Sequence, residues 1–315
     1  PPLAPHIRRT SASTADRIGG LQLMSKAIVS NHERWVINFG DCSEQKAREY
    51  RLPYDHLVAT VKPKRDKLTV QVHESAFWKH WDRRDELYEK IKGKSRVLVC
   101  PEVSKHCCFA FLPPDLLFAH KVNVIPDERY GAFAALQSNV HVEWAWHNGT
   151  TMRNAGLSYT TSGCLATFPQ PENLENLEGI GTQYYEFRAA IMVARNSGLT
   201  KIYDLMNDNN ERSAEILELR RLQVELDELV IRQYGWNDIE LAHDFYKAKQ
   251  GVRYTFGEEA KRSVLRRLLQ INRDRFDSEK TNAGNDHRPE RTSDVAHRGP
   301  HAGQETLFDD LTRRQ

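Results

Sequence analysis

Short β-like runs and helical patterns alternate between Arg34 and Gly149. Hydrophobic residues cluster in four runs that are typical of strands: "RWVINF", "RVLVC", "CCFAFLP" and "HKVNVIP". Helical spacing predicts three helices in this part of the chain. The first is "SEQKAREY", with Ser43 as its N-cap. The second is "ESAFWKHWDRRDELYEKIKG", which ends at Gly93 and carries Phe77, Trp81, Tyr88 and Ile91 on one face, and the third is "RYGAFAALQSNVHVEWAWHNG", a single helix that ends at Gly149. The aromatic stripe of the third helix favours core packing over a base-stacking platform. This part of the chain is therefore expected to be a compact α+β module.

The pattern becomes purely helical after residue 173. Apolar residues at three- and four-residue steps predict four helices, which are built around Ile180–Ile191, "LTKIYDLMND", the long amphipathic stretch Ser213–Tyr234, and a last segment from near Glu258 to about Phe276. From Asp277 the composition cannot build a core, so disorder is expected there.

The stretch "SYTTSGCLATFPQPEN", Ser158 to Asn173, separates the two patterns. Leu165 and Phe168 are expected to be buried, and two prolines prevent a helix or central strand from continuing. We interpret it as a domain junction. The predicted organisation is α+β overall, with a flexible N-terminal segment at 1–30, a first domain at 31–172, a helical domain at 173–276 and a disordered tail at 277–315.

Composition adds few constraints. The 315 residues carry a formal net charge of +2, and no apolar run is long enough to cross a membrane. The chain opens without methionine or an export signal, which favours a cytoplasmic protein and a processed chain or a piece of a longer one. Its five cysteines are then expected to be reduced. Cys107 and Cys108 beside His106 allow a metal site, but buried apolar packing is the simpler interpretation because no Cys-x-x-Cys spacing occurs.

Catalytic motifs are missing from the sequence. It contains no phosphate-binding glycine loop, no Gly-x-Ser-x-Gly and no His-Glu-x-x-His. Asp127 and Glu128 follow a strand and allow a nuclease carboxylate pair, but a strand-ending turn is the simpler interpretation, because Arg129 and Tyr130 stand where such a metal-dependent site would need a lysine. His141 and His147 are expected to be packing or capping residues. No catalytic or metal-binding residue is predicted, which indicates a recognition or scaffold protein.

Several motifs in one order resemble a known family. "RWVINFGDCSEQKAREYRLPYDHLVATVKPKRDKL", "RVLVCPEVSKHCCFAFLP", the segment from Tyr130 to Leu174, "LTKIYDLMND", "LRRLQVELDELVIRQYGWNDI" and "KQGVRYTF" are similar to the C-terminal half of large adenine-specific DNA methyltransferases. These are the MmeI-like fused type II restriction–modification enzymes and related phage-defence systems. The resemblance covers about Arg34 to Phe276.

The resemblance implies a DNA target recognition domain followed by helical segments. In the family, a separate catalytic domain binds S-adenosylmethionine and grips the flipped adenine with an Asn-Pro-Pro-Tyr type motif. This sequence has no such tetrapeptide, and Pro113–Leu116 lacks its amide and aromatic side chains. No catalytic or cofactor residue can therefore be transferred. The chain is expected to be either a fragment of a larger methyltransferase or a separate specificity subunit that works with a catalytic partner.

Basic residues are the candidates for contact with double-stranded DNA. Candidate phosphate contacts are Lys62, Lys64 and Arg65. Candidate base or backbone contacts are Lys105, His106 and Arg153, which lie in loops or strand starts at places that match the family. The alternative for each is an exposed polar residue, since acidic residues are interleaved with the basic clusters.

Two interactions with protein partners are also open. Gln304, Leu307 and Phe308 match the Gln-x-x-Leu-Phe pattern of peptides that dock on the bacterial sliding clamp, although the match can arise by chance in a tail. The amphipathic stretch Ser213–Tyr234 would pair with another protein if the chain is a helical interaction scaffold.

Overall fold

The computed structural model describes residues 7–9, 35–68, 76–80, 83–152 and 156–285. Within them the helices are α1 (Glu44–Arg48), α2 (Arg51–Thr60), α3 (Lys62–Arg65), α4 (Asp85–Ile91), α5 (Tyr130–Gln137), α6 (Asn139–Asn148), α7 (Glu178–Ala194), α8 (Leu199–Met206), α9 (Ala214–Gln233) and α10 (Glu258–Asn285). The strands are β1 (Ile7–Arg9), β2 (Trp35–Ile37), β3 (Val97–Pro101), β4 (Val103–Ser104), β5 (Ala110–Leu112), β6 (Val122–Ile125), β7 (Thr150–Met152), β8 (Gly156–Ser158), β9 (Asp244–Ala248) and β10 (Gly251–Thr255). This confirms the predicted α+β class.

The strands of the described ranges form four small antiparallel sheets. Their orders are β1-β2, β5-β3-β6, β4-β8-β7 and β10-β9. In the sheet with β3 at its centre, Val97, Leu98 and Val99 are fully buried, as expected for a central strand with both faces covered. The predicted strands at "RWVINF", "RVLVC", "CCFAFLP" and "HKVNVIP" are all present.

Among the described residues, two hydrophobic clusters stabilise the fold. The smaller one is formed by Phe39, Ala47 and Tyr54 with partly buried neighbours that include Phe77 and Trp78. The larger one is a single cluster whose buried members come from many elements between Ile91 and Leu268. The predicted boundary between 172 and 173 lies inside this larger core, and the four predicted domain ranges stay predictions.

The predicted helix over "ESAFWKHWDRRDELYEKIKG" is wrong in its first half. Residues 76–80 are turns, and α4 begins only at Asp85, after Arg84 in a left-handed conformation with φ of 53°. Phe77 packs in the smaller cluster, whereas Ile91 packs in the larger one. The apparent stripe therefore belongs to two different cores.

The predicted single helix from Tyr130 to Gly149 is divided at Ser138. Ser138 adopts an extended ψ of 151°, and its hydroxyl accepts the His141 N–H as the N-cap of α6 while donating to the Ala135 carbonyl. A serine at an N-cap satisfies a backbone donor that the helix leaves unpaired. Ser43 caps α1 in the same way, as predicted.

The second half of the chain is not purely helical, because β9 and β10 form a hairpin between α9 and α10. The last helix also extends past Phe276 to Asn285, so residues 277–285 of the predicted disordered tail are helical.

By its contacts the chain divides into two units, Pro1–Asn272 and Arg273–Gln315. Among the described residues, no helix combines the length and apolar character needed to cross a membrane.

The junction segment is a compact turn. Thr161–Leu165 form a π-helical turn capped by the Thr160 hydroxyl, which accepts the Gly163 N–H. Phe168 is buried at 4% exposure, as predicted, whereas Leu165 is only half-buried. The segment thus anchors the chain through the buried Phe168 ring together with the buried Tyr159 and Cys164 side chains.

Helix α5 lies very close to α7 and to the turn Leu174–Leu177 that precedes α7. A Cβ atom at Gly131 would overlap the Leu174 carbonyl, and a Cβ atom at Gly181 would overlap the Tyr130 carbonyl. Only glycine permits this approach of two backbones. The Glu178 carboxylate also accepts the N–H groups of Tyr130 and Gly131, which lie at the N-terminus of α5.

Candidate nucleic-acid interface

The three candidate phosphate contacts lie on the short helix α3. Lys62 forms an exposed ion pair with Asp66, with 2.8 Å between Nζ and Oδ2. Lys64 is exposed and has no ion pair with another described residue. Arg65 instead donates to the carbonyls of Ala76 and Lys79, so it braces the 76–80 turns against α3. Lys64 therefore offers the most available charge of the three.

Lys105 and His106 follow β4 and both contact Asp204 on α8. Lys105 Nζ lies 2.6 Å from Asp204 Oδ1, and His106 Nε2 lies 2.8 Å from the same oxygen. Lys105 is exposed, but the His106 side chain is only 4% exposed. Burial lowers the pKa of His106 to about 4, despite the opposing hydrogen bond to Asp204. His106 is therefore neutral at pH 7 and serves an internal contact.

The Asp204 carboxylate stays charged in this cluster. Burial alone would raise its pKa, but the hydrogen bonds from Lys105 and His106 outweigh burial, and the net pKa is lowered. Asp204 thus compensates the Lys105 charge and ties β4 to α8. Arg153, the remaining candidate for DNA contact, lies outside the described residues. All six assignments to DNA contact stay predictions.

A buried arginine that is not among the predicted site residues connects three parts of the core. Arg188 on α7 donates to Gln137 Oε1 at 3.1 Å, to the Tyr203 hydroxyl at 2.9 Å and to the Phe109 carbonyl at 2.8 Å. Its guanidinium also lies 5.0 Å from the centroid of the Phe133 ring. None of the described carboxylates forms an ion pair with it. The signal was present, because Arg188 falls four residues after Tyr184 on the apolar face of the helix.

A buried carboxylate forms a second internal connection. Asp227 on α9 accepts the backbone N–H and side-chain amide of Asn139, each at 2.7 Å, at the N-terminus of α6. It also accepts from Gln223 at 3.0 Å and contacts His243 Nε2 at 2.8 Å. An anion at a helix N-terminus is stabilised by the unpaired N–H groups there. Asp227 therefore fixes α6 against α9.

The Asp127–Glu128 pair is engaged in local structure. Asp127 accepts from the Arg129 side chain at 2.6 Å, and Glu128 accepts the Ser95 N–H and hydroxyl at 2.7 and 2.8 Å. Burial opposes ionisation of Asp127, but its contacts with Arg129 outweigh this, and its pKa is lowered. Across the described ranges, no group of three or more His, Cys, Asp or Glu residues is arranged to hold a metal ion. These contacts match the strand-ending turn.

The two interior groups beside the junction are also structural. His141 Nδ1 lies 2.8 Å from the Leu136 carbonyl, and its Nε2 lies 3.2 Å from the Tyr159 hydroxyl. Burial lowers the pKa of His141 to about 4, so the ring is neutral. Phe168 packs edge-on against this ring with centroids 4.6 Å apart.

Two comparisons with known proteins, one by family model and one by structure, both find similarity to MmeI. Residues 12–172, just over half of the chain, match the family model described as "MmeI, target recognition domain". The solved structure of the Type IIL restriction-modification enzyme MmeI in complex with DNA has a similar fold, with a TM-score of 0.53 and 16% sequence identity. That similarity covers 85% of this chain and 31% of the MmeI chain, so this chain spans under a third of that enzyme's length. No curated protein sequence matches. The chain belongs to the MmeI target recognition domain family.

Proposed function

We propose that this chain recognises a specific DNA sequence for a site-specific adenine DNA methyltransferase of a restriction–modification or phage-defence system. The observation that carries the proposal is the match of residues 12–172 to the MmeI target recognition domain. The similar fold of an enzyme solved with DNA, over 85% of this chain, supports it. A cytoplasmic location goes with this function.

The chain supplies recognition, and a catalytic domain or subunit supplies methyl transfer. S-adenosylmethionine would be bound by that catalytic part. The adenine would be gripped there as well, because Pro113–Leu116 lacks the amide and aromatic side chains for this. The cysteines and buried histidines also have interior roles: Cys100, Cys107 and Cys108 are buried, and burial raises the pKa of each thiol. Recognition of base edges and phosphates needs none of these reactive groups.

The physical basis is a surface that combines a few unpaired basic side chains with a rigid support. The near-neutral total charge of +2 does not prevent binding, because each phosphate that a lysine or arginine neutralises releases counterions. Lys64 is such an unpaired group. Phosphate contacts would set the register, and contacts with base edges would select the sequence.

The direct test is selection of duplexes by the full 315-residue chain. A random-sequence duplex library is bound, recovered and sequenced, and binding of the enriched duplex is followed across a salt series. The expected result is one enriched motif and an affinity that falls as salt rises. Binding that depends on neither sequence nor salt would refute sequence-specific recognition.

The alternative of a helical interaction scaffold finds less support. It requires a free apolar face on α9, yet the chain's own larger core covers that face: Ile216, Leu219, Leu222, Leu226 and Val230. Charge reversal at the exposed Lys62 and Lys64 separates the two functions, because only DNA recognition would lose affinity, whereas Arg65 also braces the 76–80 turns. The clamp-binding peptide at Gln304, Leu307 and Phe308 lies outside the described residues and stays a prediction.

A further inference from the structure

The β9–β10 hairpin presents a charged tip. Its five-pair antiparallel register ends at the pair Ala248–Gly251, so Lys249 and Gln250 form the turn. Gly251 has φ of +102°, a backbone conformation that residues other than glycine rarely adopt. The turn is therefore tight, and Lys249 is held at its end.

The base of the hairpin is anchored on the helices. The Tyr254 N–H donates to Asn207 Oδ1 at 2.9 Å. The Arg220 guanidinium lies 4.8 Å from the Phe245 ring centroid and 5.6 Å from that of Tyr254. Arg220 itself is buried and donates to the carbonyls at the end of α8, including Met206 at 2.9 Å. A lone two-stranded hairpin is only marginally stable in water, so these contacts hold it in place.

The tip differs from the base because its charges are uncompensated. Lys247 and Lys249 are exposed, and neither forms an ion pair with another residue in the part of the chain that the structure describes. Val252, the register partner of Lys247, is 47% exposed. In contrast, Lys62 and Lys105 are each compensated by an aspartate.

The tip also lies near the first half of the chain. Lys249 acts electrostatically on His147 near the end of α6, where it adds to the effect of burial in lowering the His147 pKa. Helix α6 leads directly into β7, and β7 shares a sheet with β4, the strand that precedes Lys105. Lys249, one of the two uncompensated charges, therefore lies within electrostatic reach of α6 in the family-matched segment.

We propose that the hairpin tip is a DNA backbone contact, in which Lys247 and Lys249 each neutralise one phosphate of the bound duplex. The proposal rests on the proposed function and adds a binding element beyond residue 172, where the family match ends. A polyanion complements the charge of the tip, and phosphate contacts from such a rigid support would fix the orientation of the chain on the duplex.

The experiment measures the slope of log K against log salt concentration for the full chain on one duplex. Each lost phosphate contact reduces the magnitude of the slope by about 0.9. The variant K247Q/K249Q is expected to reduce it by about 1.8, and K247R/K249R is expected to retain the wild-type slope. The variant K90Q/K121Q removes the same number of charges from exposed lysines elsewhere and serves as the matched control.

The outcomes separate this proposal from the proposed function. A wild-type chain that binds with salt dependence, together with an unchanged slope in K247Q/K249Q, would overturn the hairpin contact alone. An equal reduction in K90Q/K121Q would also overturn it, since net charge would then explain the effect. If the wild-type chain binds no duplex, the hairpin contact and the proposed function both fail. All variants change exposed side chains, so thermal unfolding at the wild-type midpoint verifies folding.

Discussion

Removal of the Phe168 ring tests whether the junction anchors the fold. The ring is 4% exposed, lies 4.6 Å from the His141 ring centroid and 6.3 Å from that of Trp144. In Phe168→Ala these contacts are lost and a cavity remains, because the surrounding helices relax only in part.

The expected cost follows from these contacts. Transfer of a buried phenylalanine side chain to water costs about 1.5–3 kcal/mol. Each aromatic pair contributes about 0.5–1.5 kcal/mol beyond its area. With the cavity, Phe168→Ala is expected to lower the free energy of unfolding by about 3–5 kcal/mol. Phe168→Leu keeps most of the volume and is expected to cost about 1.5 kcal/mol.

Equilibrium unfolding in urea provides the measurement, with tryptophan fluorescence as the signal because Trp144 lies beside the ring. Leu165→Ala in the same segment is the matched control, with an expected cost of about 1 kcal/mol because Leu165 is only half-buried. A free energy of unfolding for Phe168→Ala within about 1 kcal/mol of wild type, at an unchanged urea dependence, would refute the anchoring role.

Three further predictions concern buried or paired charges. Arg188→Met removes three donated hydrogen bonds and leaves the buried Phe109 carbonyl without its side-chain donor, whereas Gln137 Oε1 still accepts the Phe109 N–H and the Tyr203 hydroxyl still contacts that of Tyr184. We expect the free energy of unfolding to fall by about 2–4 kcal/mol in the same urea assay; a neutral result would contradict the role of the guanidinium. Burial raises the pKa of Glu143 to about 7, although Lys261 opposes the shift. The folded protein thus binds this proton more tightly than the unfolded chain, and stability is lost as pH rises from about 4.5 to 7. Glu143→Gln is expected to exceed wild-type stability by about 1–3 kcal/mol at pH 8, with the difference vanishing near pH 4.5 in urea titrations at both pH values. Asp204→Asn releases Lys105 from its ion pair, so log K for duplex binding is expected to depend more steeply on log salt, by up to about 0.9. An unchanged slope would mean that Lys105 does not contact a phosphate.

Local sequence patterns predict helices and strands well where the apolar face of an element packs against a single hydrophobic core. The apolar stripe of α9 and the cap at Ser43 required only neighbouring residues. The segment from Phe77 to Ile91 was misread because helical spacing cannot show that its two ends pack in different clusters. The division at Ser138 carried a signal, since serine favours the N-cap, but the continuous apolar stripe masked it.

The candidate interface was less predictable than the fold. Basic residues were visible in the sequence, but their compensation depends on pairs distant in the chain, such as Lys105 with Asp204. The hairpin lysines cannot be singled out from the sequence, because helical spacing on either side hides the alternation around Gly251. Sequence patterns therefore located charge, and tertiary structure decided which charges remain available to a polyanion.

The close backbone contacts of Gly131 and Gly181 restrict which segments can be exchanged between related proteins. Gly131 lies inside the family-matched segment and Gly181 beyond its end, and each faces a carbonyl on the other side of residue 172. A recognition segment taken from a relative would need a backbone that fits against these glycines and carbonyls without steric overlap. New specificities are therefore more readily obtained by exchanging surface side chains and loops than by cutting the chain at the end of the family match.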